Sequence, residues 1–251
     1  MTAGLEPELW LVNLDRSEAA LEGLEAATPR LSDDVRTRLA AVRNDGTRRE
    51  RRLAHIALRI LLERRLGAGI RNAPFVLSAT GKPSLAGVDT SFSLAHTKHL
   101  ALIGMTAGGP LGVDIERTRP VWMPDARRAP IEAEAVALAA GAPLQGAEPD
   151  ERFLRAWVRI EAVAKARGTG VGPMLERLRP GREEGRAVDR RAANQGAANQ
   201  GGDAPAEPPT VVAHDVPAGD GIFVAIALPA GASPPSLRTL PEAALAIEAL
   251  L

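Results

Sequence analysis

The amino-acid sequence predicts an α+β fold, and three observations lead to this prediction. Short, almost continuous apolar runs typical of strands occur near the start, in the middle and near the end of the chain. Between them lie longer segments with helical periodicity, and the two kinds of segment do not follow a strict βαβ alternation. The 251 residues are 45% hydrophobic and 25% charged, which is enough apolar material for a buried core.

The N-terminal part begins with a predicted strand, Glu8 to Asp15, whose apolar residues are nearly continuous. A short helix is predicted from Leu31 to Val42, with Ser32 at its N-cap. The clearest helical pattern runs from Arg48 to Leu66 and ends at a glycine-rich stretch, residues 67–69. Its apolar residues recur at helical spacing and form one stripe: Leu53, Ile56, Ala57, Ile60 and Leu61.

The rest of the chain continues the mixture of strands and helices. Two strands are predicted around a turn at Gly108 to Pro110, and two helices and a C-terminal hairpin follow. The predicted strands are Phe92–Met105 and Leu111–Glu116, the helices Ile131–Ala140 and Glu151–Arg167, and the hairpin joins VVAHDV to GIFVAIAL. Residues 181–209 hold a direct repeat of AANQG and almost no large apolar side chain, so we predict a disordered insertion there.

Composition excludes several classes of protein. The chain has no cysteine, so disulfides, zinc–thiolate sites and thiol catalysis are excluded. The longest apolar run, Ile222 to Leu228, is far shorter than the roughly 20 residues of a membrane span, and the start lacks the features of a signal peptide. We therefore expect a cytoplasmic protein with no membrane association. Of the 31 basic residues only three are lysines, which marks those three as candidate positions for a compact ammonium group.

Two carboxylates share one face of the predicted strand 111–116. Asp114 and Glu116 are two residues apart and therefore project to the same side, opposite Val113 and Ile115. Paired carboxylates of this kind suit a hard divalent cation such as Mg²⁺. The competing interpretation is a solvated strand end.

The predicted helix 151–167 carries a second candidate pair. Glu161 and Lys165 are four residues apart and lie one above the other, beside a buried stripe. An ordinary surface ion pair is the competing interpretation. Against it, a lysine stands here in an arginine-rich chain, and the Gly168-Thr169-Gly170 that follows indicates a close backbone approach.

Three further basic features could bind an anion. Lys82 lies in a constrained Gly-Lys-Pro turn, and His96 shares a strand face with two apolar residues. Residues 36–65 contain ten arginines against three acidic residues, a local excess that favours a phosphate or an acidic partner. A loop lysine, a structural histidine and a solvated helix face are the respective alternatives.

Taken in order, these segments resemble the 4′-phosphopantetheinyl transferases of the surfactin-synthetase type. The matching motifs are G-K-P, F-S-L-A-H-T, G-V-D-I-E and W-V-R-I-E-A-V-A-K-A-x-G-x-G, and the resemblance covers about residues 8–178 and the final hairpin. It implies a monomeric pseudo-dimer of two similar α+β halves, residues 1–111 and 112–251, with coenzyme A bound between them. It also implies Mg²⁺-dependent transfer of 4′-phosphopantetheine to a serine of an acyl or peptidyl carrier protein, releasing 3′,5′-ADP.

The resemblance also implies roles for particular residues. Asp114, Glu116 and Glu161 correspond to Mg²⁺ ligands, with Glu161 also positioned to remove the serine proton. Lys165 corresponds to the residue on the pyrophosphate. Lys82 and His96 correspond to residues that contact the phosphates of coenzyme A, and Arg48 and Arg49 of the basic helix are assigned the same role.

The chain departs from the family pattern at three positions: Ala95 replaces a serine, Ile160 a lysine and Glu50 an arginine. Two alternatives follow from these departures and from the basic helix. One is a homologue that binds coenzyme A without turnover. The other is a binding module that uses its basic helix on an acidic protein or nucleic acid, although the arginine region holds no aromatic residue for base stacking.

Overall fold

Helices and strands are mixed along the chain in the computed structural model, which describes residues 6–179 and 210–251. The insertion predicted at 181–209 lies outside the described residues. In chain order the elements are β1 (Glu8–Asn13), α1 (Glu18–Ala27), α2 (Asp33–Ala40), α3 (Asp45–Leu66), β2 (Phe75–Leu77), β3 (Pro83–Leu85), β4 (Ser91–Thr97), β5 (Leu100–Thr106), β6 (Gly112–Arg117), α4 (Asp125–Leu138), α5 (Pro149–Arg167), α6 (Gly172–Arg177), β7 (Val211–Asp215), β8 (Ile222–Pro229), β9 (Leu237–Thr239) and α7 (Ala244–Glu248). The α+β class predicted from the sequence is confirmed.

Two sheets form the framework, and their strands are arranged alike. The first has the order β4-β5-β1-β9, with β9 parallel to β1 and the other pairs antiparallel. The second has the order β6-β8-β7 and is antiparallel throughout. Each sheet is built from a strand, a long helix and a hairpin, with the second hairpin strand in the middle. A separate two-stranded ribbon, β2–β3, lies beside the first sheet.

Each sheet buries one face against its long helix and the other face against the other sheet. Apolar residues of α3 pack with alternate residues of β1 and β5, and those of α5 pack with alternate residues of β7 and β8. The facing sides of the two sheets form a third buried cluster, which includes Leu9, Ala95 and Leu102 from the first sheet and Val113, Val224 and Ile226 from the second. The two sheets therefore meet over an apolar seam.

The structure corrects one predicted strand. Phe92–Met105 is not a single strand but the hairpin β4–β5, reversed at Lys98 and His99. His99 adopts a positive φ of 67°, which is uncommon for a residue other than glycine. The turn contains no glycine or proline, the residues that mark most turns, so nothing in the sequence interrupts the predicted strand there.

The helices α3 and α5 and the C-terminal hairpin agree with the prediction, whereas α4 begins at Asp125, before the predicted Ile131, and contains Pro130. The prediction lacks α1, α6, α7 and the short strands β2, β3 and β9. Most of these elements carry too few residues to show a clear period, but α1 buries Ala20, Leu21 and Leu24 at helical spacing. Ser32 occupies the N-cap position of α2, but its hydroxyl accepts a hydrogen bond from the buried Arg59 instead of capping the helix. No helix in the described ranges has both the length and the apolar character needed to span a membrane.

Candidate active site

A cleft lies between the first sheet with its helix α3 and the C-terminal end of α5. Its volume is about 420 Å³, and its walls come from α3, the β2–β3 turn, β4 and α5. Three residues assigned from separate motifs, Lys82, His96 and Lys165, all line this cleft. The fold thus brings together side chains that are up to 83 positions apart in the sequence.

The position of α5 over the second sheet depends on Gly112. A Cβ atom built there would lie 2.0 Å from the carbonyl oxygen of Ala162 and 2.4 Å from the backbone nitrogen of Ala166. The helix backbone therefore rests directly on β6, and only glycine leaves room for it. Because side chains alternate along a strand, Asp114 projects to the same face as Gly112 and meets α5.

Asp114 is buried and paired with Lys165. The Lys165 Nζ atom donates to Asp114 Oδ1 at 2.6 Å, and only 7% of Asp114 is exposed. Burial, together with the charges of Glu161 and Glu116, raises the pKa of Asp114 to about 7, although the ammonium of Lys165 lowers it. The interpretation of Asp114 as a solvated strand end is therefore wrong. The ion pair of Lys165 in the described structure is with Asp114 rather than with Glu161.

The other two carboxylates lie within electrostatic range of Asp114, because both act on its pKa. Glu161 is one helical turn before Lys165 on α5, and Glu116 accepts a hydrogen bond from Arg119 at 3.0 Å. Within residues 6–179 and 210–251, no three acidic or histidine side chains converge closely enough to form a ready metal site. The chemistry of the three carboxylates nevertheless suits Mg²⁺, which prefers hard oxygen ligands. The assignment of Asp114, Glu116 and Glu161 as metal ligands stays a prediction.

Positive charge collects on the opposite wall of the cleft. Burial, and then the charges of Arg51 and Lys165, lower the pKa of His96. His55 also lines the cleft, and burial with nearby arginines lowers its pKa to about 4. The cleft is therefore a favourable environment for an anion. The sequence places Arg51 in the basic segment 36–65 without singling it out, and it gives no sign of His55, which lies one helical turn after Arg51 on α3.

Lys82 connects the β2–β3 turn to the start of β6 and to the end of α5. Its Nζ atom donates to the carbonyl oxygens of Leu111 at 3.1 Å and Ala166 at 3.0 Å. Burial lowers its pKa. Lys82 is therefore tied to the residue before β6 and to the end of α5 by two hydrogen bonds, in addition to lining the cleft, which excludes the interpretation as a free loop lysine.

Arg48 and Arg49 occupy a different surface. Arg49 donates to Glu18 at 2.6 Å and to Asp15 at 3.0 Å, and Arg48 donates to Asp45 at 2.5 Å. Both line a depression beside α1 and α2 rather than the cleft that holds His96. Their assignment to coenzyme A phosphates stays a prediction. Much of the arginine excess on α3 is offset by carboxylates from α1 and the turn before it.

Comparison with known proteins identifies the family. No family model matches the chain. It is 28% identical over 182 residues, 70% of each chain, to a protein from Synechocystis sp. named a putative 4′-phosphopantetheinyl transferase. It is also 30% identical over 183 residues to the 4′-phosphopantetheinyl transferase HetI from Nostoc sp., covering 68% of this chain and 72% of that relative. With an α+β fold and a cation-lined cleft already established, these matches show that the chain belongs to the 4′-phosphopantetheinyl transferase family of enzymes.

Proposed function

We propose that this enzyme transfers the 4′-phosphopantetheine group of coenzyme A to a serine hydroxyl of an apo acyl or peptidyl carrier protein. The observation that carries the proposal is the shared cleft of Lys82, His96 and Lys165, with Lys165 held against the buried Asp114. In the reaction the serine oxygen bonds to the β-phosphorus of coenzyme A, and the bond from that phosphorus to 3′,5′-ADP breaks. The serine proton passes to a base and 3′,5′-ADP leaves.

The basic residues of the cleft supply what this reaction needs most. Phosphoryl displacements are catalysed mainly by positioning and by stabilising charge on the phosphoryl oxygens. Lys165 is placed to meet the pyrophosphate, while His96 and Lys82 contact other phosphate oxygens of coenzyme A. Arg51, which also lines the cleft, adds a fourth group to this set.

The acidic residues supply the metal site and the base. Asp114, Glu116 and Glu161 would hold Mg²⁺, and the bound ion would add positive charge beside the pyrophosphate. Glu161 accepts the serine proton, directly or through water. When coenzyme A binds, Lys165 donates a second hydrogen bond to a phosphate oxygen while Asp114 holds its ammonium group in place.

We propose that two halves, residues 1–111 and 112–251, form the pseudo-dimer of the surfactin-synthetase type, with the C-terminal β9 and α7 packing back on the first sheet. The repeated order of strand, long helix and hairpin supports this proposal, as does the matching order of β4-β5-β1 and β7-β8-β6. The cleft between the first sheet and the end of α5 then corresponds to the coenzyme A site. A single chain holds every proposed site residue, so we propose that the monomer is active.

We propose that the macromolecular partner is the carrier protein rather than a nucleic acid. The arginines of α3 that first suggested a nucleic-acid contact are largely engaged by carboxylates of this chain, as for Arg49 and Arg52. Trp122, 98% exposed, lies shortly after the strand that carries Asp114 and Glu116. An exposed aromatic ring so close in sequence to the site offers a docking carrier an apolar contact.

The direct test incubates the protein with coenzyme A, Mg²⁺ and an apo carrier protein and measures the carrier's mass. We expect the mass to increase by one 4′-phosphopantetheine group, and we expect no increase with a chelator or when the target serine is replaced by alanine. Binding of coenzyme A without any mass increase would instead identify a homologue that does not turn over. If the protein neither bound coenzyme A nor modified the carrier, the proposed function would be contradicted.

A further inference from the structure

We propose that Lys82 is a positioning residue: it clamps the end of α5 to the start of β6 and so fixes Lys165 against Asp114. The observation behind this proposal is one ammonium group shared by two backbone carbonyls from distant parts of the chain. Leu111 and Ala166 are 29 and 84 residues away from Lys82 in the sequence. The kinetic part of the proposal rests on the proposed transfer reaction, whereas the structural part does not.

The turn that presents Lys82 is itself well defined. Ser78 closes it, because its backbone N–H donates to the carbonyl of Lys82 at 2.9 Å and its hydroxyl accepts from the N–H of Lys82 at 3.0 Å. Gly81 supplies a φ of +85°, and Pro83 restricts Lys82 to an extended backbone. Lys82 therefore extends from a rigid support rather than from a mobile loop.

The acceptors of Lys82 include a carbonyl that the helix cannot satisfy by itself. The last four carbonyls of a helix have no partner within it. In α5, the N–H groups of Gly168 and Thr169 bond to the carbonyls of Lys165 and Ala164. The carbonyl of Ala166 instead accepts from Lys82, whose positive charge also suits the negative end of the helix.

This contact lies one residue from the site. Ala166 follows Lys165 directly, and Leu111 is three residues before Asp114 on the strand where α5 touches Gly112. Fixing Ala166 relative to Leu111 therefore fixes the helix–strand register that brings Lys165 within 2.6 Å of Asp114. An ammonium group has three donors, so one remains for a phosphate oxygen after the two carbonyl bonds.

The first test measures α5 in the absence of coenzyme A, by amide hydrogen exchange at residues 164–169 in Lys82→Met. We expect exchange at least about tenfold faster than in the wild-type protein, because the end of the helix loses its external partner. Lys98→Met, the same change at the exposed lysine of the β4–β5 turn, should leave this exchange unchanged. If Lys82→Met did not fold, Lys82→Gln, which keeps an amide donor, should give an intermediate rate. Wild-type exchange in the Lys82 variant would overturn the clamp.

The second test separates positioning from phosphate binding. At temperatures where all variants are folded, we expect Lys82→Met to lower kcat at least about tenfold, in addition to the rise in KM for coenzyme A that follows from the lost phosphate contact. A phosphate contact alone would raise KM and leave the exchange of the free protein as in the wild type, and this result would overturn the proposal. If the wild-type protein transferred nothing, the proposed function would fail, but the exchange comparison would still decide the clamp.

A double-mutant cycle tests whether Lys82 acts through Lys165. If it does, Lys82→Met should lower transfer less than about threefold further in a Lys165→Met background, because the side chain that it positions is already absent. Two independent contributions would instead multiply. Full multiplication of the two losses would overturn the coupling.

Discussion

Replacing Gly112 by alanine tests the contact on which the candidate site depends. The added methyl group would lie 2.0 Å from the carbonyl oxygen of Ala162 and 2.4 Å from the backbone nitrogen of Ala166, whereas real Cβ contacts are essentially never below 3.0 Å. Both neighbours are backbone atoms of α5, so no side-chain rotation relieves the overlap. The helix must therefore move away from β6 by about 1 Å or more.

The expected cost follows from that displacement. Overpacking a well-packed core costs about 1–3 kcal/mol, and here a whole helix must shift, so we expect a loss of about 3 kcal/mol or more. For a chain of this size that corresponds to a decrease in Tm of roughly 6–12 °C. Transfer should fall about 100-fold in the folded protein, because a misplacement of about 1 Å at a reacting centre has an effect of that size.

The assay is urea unfolding followed by circular dichroism, together with the rate of carrier modification. Gly23→Ala is the matched control: Gly23 lies in α1, and a Cβ atom there has no neighbour within 4 Å. It should increase the free energy of unfolding by about 0.5–1 kcal/mol through helix propensity. If Gly112→Ala were as stable as the wild type within about 0.5 kcal/mol, α5 would not rest on β6 as described.

Three other perturbations have defined outcomes. Glu161→Gln and Lys165→Arg should each lower transfer roughly 100-fold or more without unfolding the protein, and only Glu161→Gln should raise the Mg²⁺ concentration required; wild-type rates for both would refute their roles. Arg52→Glu should lower the free energy of unfolding by no more than about 1 kcal/mol, because Arg52 and Glu22 form a half-exposed ion pair between α3 and α1. Adding Glu22→Arg should restore most of this loss, and thermal unfolding of the wild type, the two single variants and the double variant measures it. The pKa of His55 is lowered to about 4, so its contribution to stability is present above pH 6.5 and is lost as the pH falls toward 4. Between pH 7 and pH 5, the free energy of unfolding of His55→Phe should therefore fall by about 2 kcal/mol less than that of the wild type. Urea midpoints that fall as steeply with pH in the variant as in the wild type would contradict this.

Periodicity predicted the long helices, because each apolar stripe in α3 and α5 covers several turns and packs on a sheet. It could not predict the β4–β5 turn, since His99 takes a left-handed conformation that nothing in its local sequence indicates. The ion pairs of Arg49 were also invisible, because its partner Glu18 comes from an element 31 residues away. Local patterns therefore give the elements, while the tertiary pairing of charges requires the fold.

The candidate site divides in the same way. The face shared by Asp114 and Glu116, and the helical spacing of Glu161 and Lys165, depend only on strand and helix geometry, so the sequence predicted them. The ion pair that joins the strand to the helix, between Asp114 and Lys165, depends on the small size of Gly112, which lets α5 approach β6. Glycine in a strand indicates such an approach only once the element that covers it is known.

The scarcity of lysine in an arginine-rich chain acquires a structural meaning where α5 meets β6. Lys82 and Lys165 place their ammonium groups within 3.1 Å of oxygen atoms on β6, on the residue before it, or at the end of α5. A guanidinium is planar and wider, so it does not fit as a compact ammonium does between the two backbone carbonyls that Lys82 contacts or against the buried Asp114. The third lysine, Lys98, is exposed in a turn, where charge alone would be met equally well by arginine. Two of the three lysines thus lie where a compact ammonium group is required. Both are at the contact between α5 and β6, where the proposed reaction takes place.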